Sequence, residues 1–228
     1  MANNYYEGTG VLMLDRVTPV IKALFGAFAL DENYPGDGLA YIARIAETND
    51  PQWSDVLDSL QTLATQLDIP VPDEDEPTLA PLLERMAVHF GTDQNEELEN
   101  LIEHHQFEDS TDLEALLLIA TCLNDGHNLV AIQFEGCWYS SKPRLFEFGG
   151  DGCYLSRDLT VSRSSTQALQ LGEQLHKAIL AADVEEASAL IALEAASLLA
   201  GICDEPLRMT VRRRIAERLA QTPASTAG

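Results

Sequence analysis

Basic residues are scarce in this chain of 228 residues. It holds 14 Lys and Arg against 37 Asp and Glu, which gives a formal net charge of −23. Nucleic acids and anionic membranes are bound through basic surfaces, so this balance argues against a nucleic-acid-binding protein and against a membrane-surface protein. The hydrophobic fraction of 46% is ordinary for a globular protein, and a chain of this length buries a core.

Long apolar runs and paired cysteines are also missing. The most apolar stretches, 113–123 and 187–201, fall short of the ~20 uninterrupted apolar residues that span a bilayer. The first residues have neither the basic nor the apolar segment of a secretory signal. The four cysteines form no C-x-x-C pair, which argues against a disulfide scaffold. We therefore expect a cytoplasmic protein with reduced thiols and no membrane contact.

Motifs of the common enzyme classes are absent. There is no G-x-S-x-G, no H-E-x-x-H, no phosphate-binding G-x-x-x-x-G-K-[ST] and no dinucleotide-binding G-x-G-x-x-G. We expect no cofactor and no metal, although Glu99, Glu103 and His104 have a helical spacing that would suit one. The sequence favours a non-enzymatic protein.

The acidity is concentrated in the first half of the chain. Residues 1–112 hold 23 acidic and 4 basic side chains, whereas residues 113–228 hold 14 and 10. Residues 73–112 alone carry 13 acidic side chains against a single base, Arg85. Such a block of one sign indicates either an interaction surface or a solvated face that maintains solubility.

Hydrophobic periodicity predicts the α+β class, with helices in the majority. An N-terminal α/β segment, 1–67, is predicted to have strands at 11–14 and 39–46 on either side of a turn, and to end in an amphipathic helix capped by Asp50. An acidic, proline-rich loop, 68–77, follows. Three further ranges complete the organisation. They are an acidic helical region at 78–124, a segment at 125–221 and a disordered tail at 222–228. The segment at 125–221 combines a small antiparallel β-meander near 128–163 with three C-terminal helices at 165–180, 183–200 and 205–220.

Three glutamates of the acidic helical region are spaced to share one helix face. Glu96, Glu99 and Glu103 stand at i, i+3 and i+7, so their side chains leave the helix ~5–6 Å apart. Rows of anions on a rigid helix resemble the charge of a nucleic-acid backbone. We expect this face to bind a basic protein surface, such as that of a nucleic-acid-binding protein, with support from the loop acids Asp73, Glu74, Asp75 and Glu76. The hypothesis is a nucleic-acid-mimicking inhibitor of a bacterial DNA-handling or defence complex, of the anti-restriction or anti-CRISPR type.

Five of the 14 basic residues fall in the last predicted helix. They are Arg208, Arg212, Arg213, Arg214 and Arg218. In a chain this acidic, we expect them to dock on acidic faces of the same molecule or of a second copy rather than on nucleic acid. A homo-oligomer is therefore one of the expectations.

Two other interpretations stay open on the sequence. The first is an enzyme of unfamiliar type, with its site between the acidic helices and the meander and with six residues to inspect: Cys137, Trp138, Tyr139, Arg144, Glu147 and Asp151. The second is an assembly subunit that self-associates through apolar helices, above all 183–200. A deep pocket with convergent polar groups favours the enzyme, whereas the mass in solution tests the assembly subunit.

Overall fold

The computed structural model describes residues 3–70, 78–142, 145 and 147–221. The chain divides into Met1–Ser156, here called unit 1, and Arg157–Gly228, here called unit 2. Both contain helices, and the strands of unit 1 pair antiparallel, so the predicted α+β class with a C-terminal helical unit is confirmed. The division falls inside the predicted segment 125–221, because the meander strand Ala131–Ser140 pairs with the first strand of the chain, Asn4–Met13.

The sheet of unit 1 has five antiparallel strands in the order β2-β3-β1-β4-β5. Their bounds are β1 Asn4–Met13, β2 Asp31–Gly36, β3 Leu39–Arg44, β4 Ala131–Ser140 and β5 Gly149–Ser156. Strand β1 is central, and its Leu12 lies opposite Ala40 of β3 and Ile132 of β4. The predicted meander strands β4 and β5 are thus continuous with the N-terminal strands.

Strand β2 replaces most of the predicted turn at 31–38. Five of its six residues are exposed, and it pairs only with β3. An edge strand with both faces in water needs no apolar alternation and tolerates a proline such as Pro35. Residues 31–36 have the composition of a turn but form a strand, so the prediction of a turn was wrong for these residues.

Five helices of unit 1 share one hydrophobic core with the sheet. Their bounds are α1 Pro19–Phe25, α2 Trp53–Gln66, α3 Leu79–Phe90, α4 Glu96–His104 and α5 Leu113–Cys122. Leu12 and Ile132 from the sheet are fully buried in one hydrophobic cluster with Phe25, Leu60 and Leu116 from the helices. The predicted cap of α2 was wrong, because Gln52 caps it and Asp50 instead pairs with Arg44 at 2.6 Å.

Two glycines of β1 make room for an aromatic ring of β4. A Cβ atom at Gly8 or Gly10 would overlap the ring of Phe134, and at Gly10 it would also meet the Gln133 carbonyl oxygen. The ring itself is buried. Glycine is therefore required at these positions by the close approach of the side chain above them.

Unit 2 consists of a strand followed by three helices. They are β6 Thr160–Ser164, α6 Ser165–Leu180, α7 Val184–Ala200 and α8 Glu205–Gln221. Ser164 and Gln167 form a capping box that begins α6, and Asp183 caps α7 by accepting from the Glu186 N–H. Among its described residues, Ala178 is the one buried hydrophobic side chain.

Candidate functional site: the acidic face of helix α4

Helix α4 is held firmly at both ends. Asn95 begins it by accepting a hydrogen bond from the Leu98 N–H at 2.9 Å, and the acidic residues of the first turn suit the positive end of the helix dipole. At the other end, the His105 ring accepts from the Phe107 N–H at 2.9 Å and lies 3.0 Å from the Asp112 carboxylate. Asp112 also caps α5, so the end of α4 is joined to the start of α5.

The predicted glutamates lie together on the exposed side of α4. Glu96, Glu99 and Glu103 are all exposed, whereas Leu98 is buried. At 100° per residue the three carboxylates share a sector of about 60° that points away from Leu98. The structure therefore brings these three sequence-predicted residues onto one face.

No cation of the described residues neutralises this face. None of the ion pairs involves Glu96, Glu99 or Glu103. The sequence explains part of this result, because the 56 residues between Arg85 and Lys142 contain 11 Asp and Glu but no Lys or Arg. The predicted supporting acids Asp73, Glu74, Asp75 and Glu76 lie outside the described residues.

The arginines of α8 pair mainly within their own helix. Arg214 donates to Glu217 at 2.7 Å, Arg213 lies 4.0 Å from the same carboxylate, and Arg208 lies 3.9 Å from Glu205. Arg212 and Arg218 are exposed. Pairs at i,i+3 and i,i+4 support a helix only weakly. The predicted docking role of these arginines stays a prediction.

The residues suggested for an enzyme site are separated by the pleat of the sheet. Cys137 and Tyr139 lie on the face away from the helices, where the Tyr139 hydroxyl donates to Glu7 at 3.2 Å. Successive strand residues point to opposite faces, so Trp138 points to the other side. Asp151 is also on that side, opposite Gly136 in the register. Glu147 is half-buried, and Arg144 lies outside the described residues. The described members of this set do not converge on one point.

A polar cluster that the sequence did not reveal lies at the end of β1 and β3. Arg44 places its guanidinium 5.4 Å from the centre of the Tyr6 ring and pairs with Asp50 at 2.6 Å. The Tyr6 hydroxyl donates to Asp151 at 2.9 Å, and burial together with that carboxylate raises the pKa of Tyr6. Tyr6 therefore stays protonated and acts as a donor.

This cluster borders an open groove of about 470 Å³ whose walls include Asn3, Tyr6, Arg44 and Asp50. Arg44 and Asp50 pair with each other and Asp151 accepts from Tyr6, so these polar groups already have partners. The one signal in the sequence is that Arg44 is among only four bases in residues 1–112.

The spacing of Glu99, Glu103 and His104 does not produce a metal-binding group. Across the described residues, no three His, Cys, Asp or Glu side chains stand close enough together to hold an ion. The Nδ1 atom of His104 instead lies 3.0 Å from the Asn100 carbonyl oxygen of its own helix. Residues at i and i+4 meet on a helix, but a metal needs further ligands converging from elsewhere.

Comparisons with known proteins identify no relative of this chain. The chain matches no protein-family model, no curated protein and no solved structure. In the part of the chain that the structure describes, no helix combines the length and the apolar character needed to cross a bilayer. The fold and the α4 face define the class of protein only as an α+β protein with an exposed acidic helix.

Proposed function

We propose that this protein is a non-enzymatic, cytoplasmic binding protein whose acidic α4 face docks on a basic surface of a protein partner. The observation that supports the proposal is the position of Glu96, Glu99 and Glu103, which are exposed together and make no ion pair with described residues. A partner's cations can therefore approach without breaking existing pairs. The Asn95 cap and the His105–Asp112 contact hold the α4 backbone in place before binding, which lowers the part of the entropy cost of association that comes from ordering the helix.

The class of partner that fits is a protein that itself binds nucleic acid. A helix rises 1.5 Å per residue, so the three carboxylates extend over about 10 Å. A DNA strand carries one phosphate per ~3.4 Å of axis, so this face corresponds to a short run of phosphates on one strand. We infer that the protein occupies a phosphate-binding groove and so inhibits a bacterial DNA-handling or defence complex.

The experiment is a charge reversal of the α4 face. Glu96→Lys, Glu99→Lys and Glu103→Lys are combined in one variant and used, beside the wild type, to capture basic proteins from a bacterial lysate at 50 mM and 500 mM salt. We expect the wild type to capture a nucleic-acid-binding protein that high salt or added duplex DNA releases. With that protein purified, the variant should raise the dissociation constant at least ~100-fold.

A matched control variant distinguishes the effect of the α4 face on binding from the effect of net charge. Asp58, Glu84 and Glu135 are exposed acids on other elements of unit 1, and none makes an ion pair in the described part of the chain. Changing all three to Lys alters the net charge by the same amount but leaves α4 intact. Equal loss of binding in both variants would contradict a defined α4 site, as would binding that neither variant weakens.

A further inference from the structure

Unit 2 leaves its apolar side chains in water. Of the 15 large hydrophobic residues that are exposed in the described part of the chain, ten belong to unit 2. At roughly 60–120 Å² for a whole aliphatic side chain and about 60% exposure, they present ~500 Å² of apolar surface. One partner of a standard dimer contributes ~800 Å², a little over half of it apolar. Unit 2 therefore exposes an apolar area of the order that one partner contributes to an interface, distributed over its three helices.

Helix α7 is the most unusual part of this surface. Apolar side chains project from all sides of it, yet none of its 17 residues is buried. A helix that is apolar all round normally lies inside a protein. The apolar side chains of α7 are therefore not covered by the described part of a single chain. A second layer of protein is needed to cover them.

One side of α7 has the spacing of a helix-pairing seam. Val184, Ser188, Ile191, Ala195 and Leu198 follow one another at intervals of four, three, four and three residues, which is the heptad pattern of two packed helices. Large and small residues alternate along this stripe, so the large side chains of one helix fit over the small ones of another. The Ser188 hydroxyl donates to the Glu185 carbonyl oxygen at 2.9 Å, so it brings no unsatisfied donor into an apolar contact.

The charges of α7 favour an antiparallel pair. All the charged residues at its start are acidic, namely Asp183, Glu185 and Glu186, and the helix holds no basic residue. A parallel pair would place six carboxylates together. An antiparallel pair centred on Ile191 separates the two groups by about 19 Å, which is beyond the ~10 Å screening length, and aligns the helix dipoles favourably.

Charge also selects a second copy of this chain as the occupant. Unit 1 has 28 acidic and 6 basic residues, a net charge of −22, whereas unit 2 has 9 and 8, a net charge of −1. Two copies repel through unit 1 and meet without repulsion through unit 2. A lipid surface is disfavoured, because membrane-surface helices carry basic residues and α7 carries none.

We propose that the protein is a homodimer in which two α7 helices pair antiparallel, with Ile191 on the two-fold axis and Val184 of each copy opposite Leu198 of the other. Such a contact is self-complementary, as a two-fold interface must be. The inference does not depend on the proposed function of α4. It adds an association surface in unit 2 to the acidic face of unit 1.

The first test compares two substitutions on opposite sides of α7. Ile191 lies on the stripe and Leu193 is rotated by about 200° from it, and their exposures are similar at 59% and 66%. Ile191→Glu should raise the dimer dissociation constant at least ~100-fold, whereas Leu193→Glu should change it less than ~5-fold. Sedimentation equilibrium gives the mass, with 25.0 kDa as the monomer, and circular dichroism confirms that both variants keep their helices.

A charge exchange tests both the partner and the orientation. Val184→Glu and Leu198→Lys should each weaken the dimer, and the double variant should recover most of the affinity, because an antiparallel pair places the two new charges opposite each other. A wild type that stays at 25.0 kDa at 200 μM would overturn the proposal. So would equal dissociation by Ile191→Glu and Leu193→Glu, a double variant weaker than both single variants, or a monomer that binds phosphatidylcholine vesicles.

Discussion

Unit 1 and unit 2 differ in the number of their buried hydrophobic residues and in their net charge. Unit 1 contains 35 of the 36 buried hydrophobic residues in the described part of the chain and carries a net charge of −22. Unit 2 contains the remaining one, Ala178, and is almost neutral. Unit 1, which has its own hydrophobic core, carries the negative charge that repels a second copy of the chain. Unit 2, which has almost no core, is nearly neutral and does not repel a second copy.

The difference shows that helix formation and core formation are separate properties of a sequence. The caps of α6 and α7 and their long runs of helix-forming residues are enough to set the helices of unit 2. In unit 1 the helices additionally present one apolar face to a sheet, and this burial supplies most of the stability. Stability should therefore respond to substitutions very differently in the two units.

The largest contrast is expected between Phe25→Ala in unit 1 and Leu193→Ala in unit 2. Phe25 is fully buried, so its removal should lower the free energy of unfolding by about 3–5 kcal/mol. Leu193 is 66% exposed, so its removal should change that free energy by less than about 0.5 kcal/mol. Both tryptophans, Trp53 and Trp138, belong to unit 1, so urea unfolding followed by tryptophan fluorescence measures that unit. Similar losses from the two variants would contradict the division.

A second contrast uses the same substitution with opposite expected signs. Gly10→Ala in β1 places a methyl group against Phe134 and should cost about 1–3 kcal/mol in the tryptophan-detected transition. Gly172 lies inside α6 with no atom near the position of a Cβ. Gly172→Ala should therefore stabilise α6 by about 0.5–1 kcal/mol, measured by far-UV circular dichroism. A neutral result at Gly10 would mean that the Phe134 ring and the β4 backbone at Gln133 both shift at little cost.

The elements that could be predicted are those whose local signals agree with their packing. The C-terminal helices are flanked by capping residues and by Gly201, and the bounds predicted for α6 match the structure. Strand β2 could not be predicted because an exposed edge strand has no apolar pattern. The α4 face could be predicted because the spacing of its three glutamates is set within a single helix. The cluster of Tyr6, Arg44 and Asp151 depends instead on strand register, which brings together residues far apart in the chain.

The last contrast concerns pH and involves a histidine in the core of unit 1. His127 is fully buried, and its ring lies 3.1 Å from the Ala120 carbonyl oxygen and accepts from the Leu129 N–H at 2.8 Å. Burial lowers the pKa of His127 below its usual value. Below about pH 6.5 the unfolded chain therefore binds a proton that the folded chain does not bind, so stability falls as the pH falls.

The size of this pH effect is limited to about 1.4 kcal/mol per pH unit, since one proton is involved. Titrating the free energy of unfolding between pH 7.5 and 5 should give a steeper decline for the wild type than for His127→Gln, which cannot take up the proton. Equal slopes for the wild type and His127→Gln would show that the folded core accepts the proton. His127 would then contribute to the packing of unit 1 and not to its response to acid.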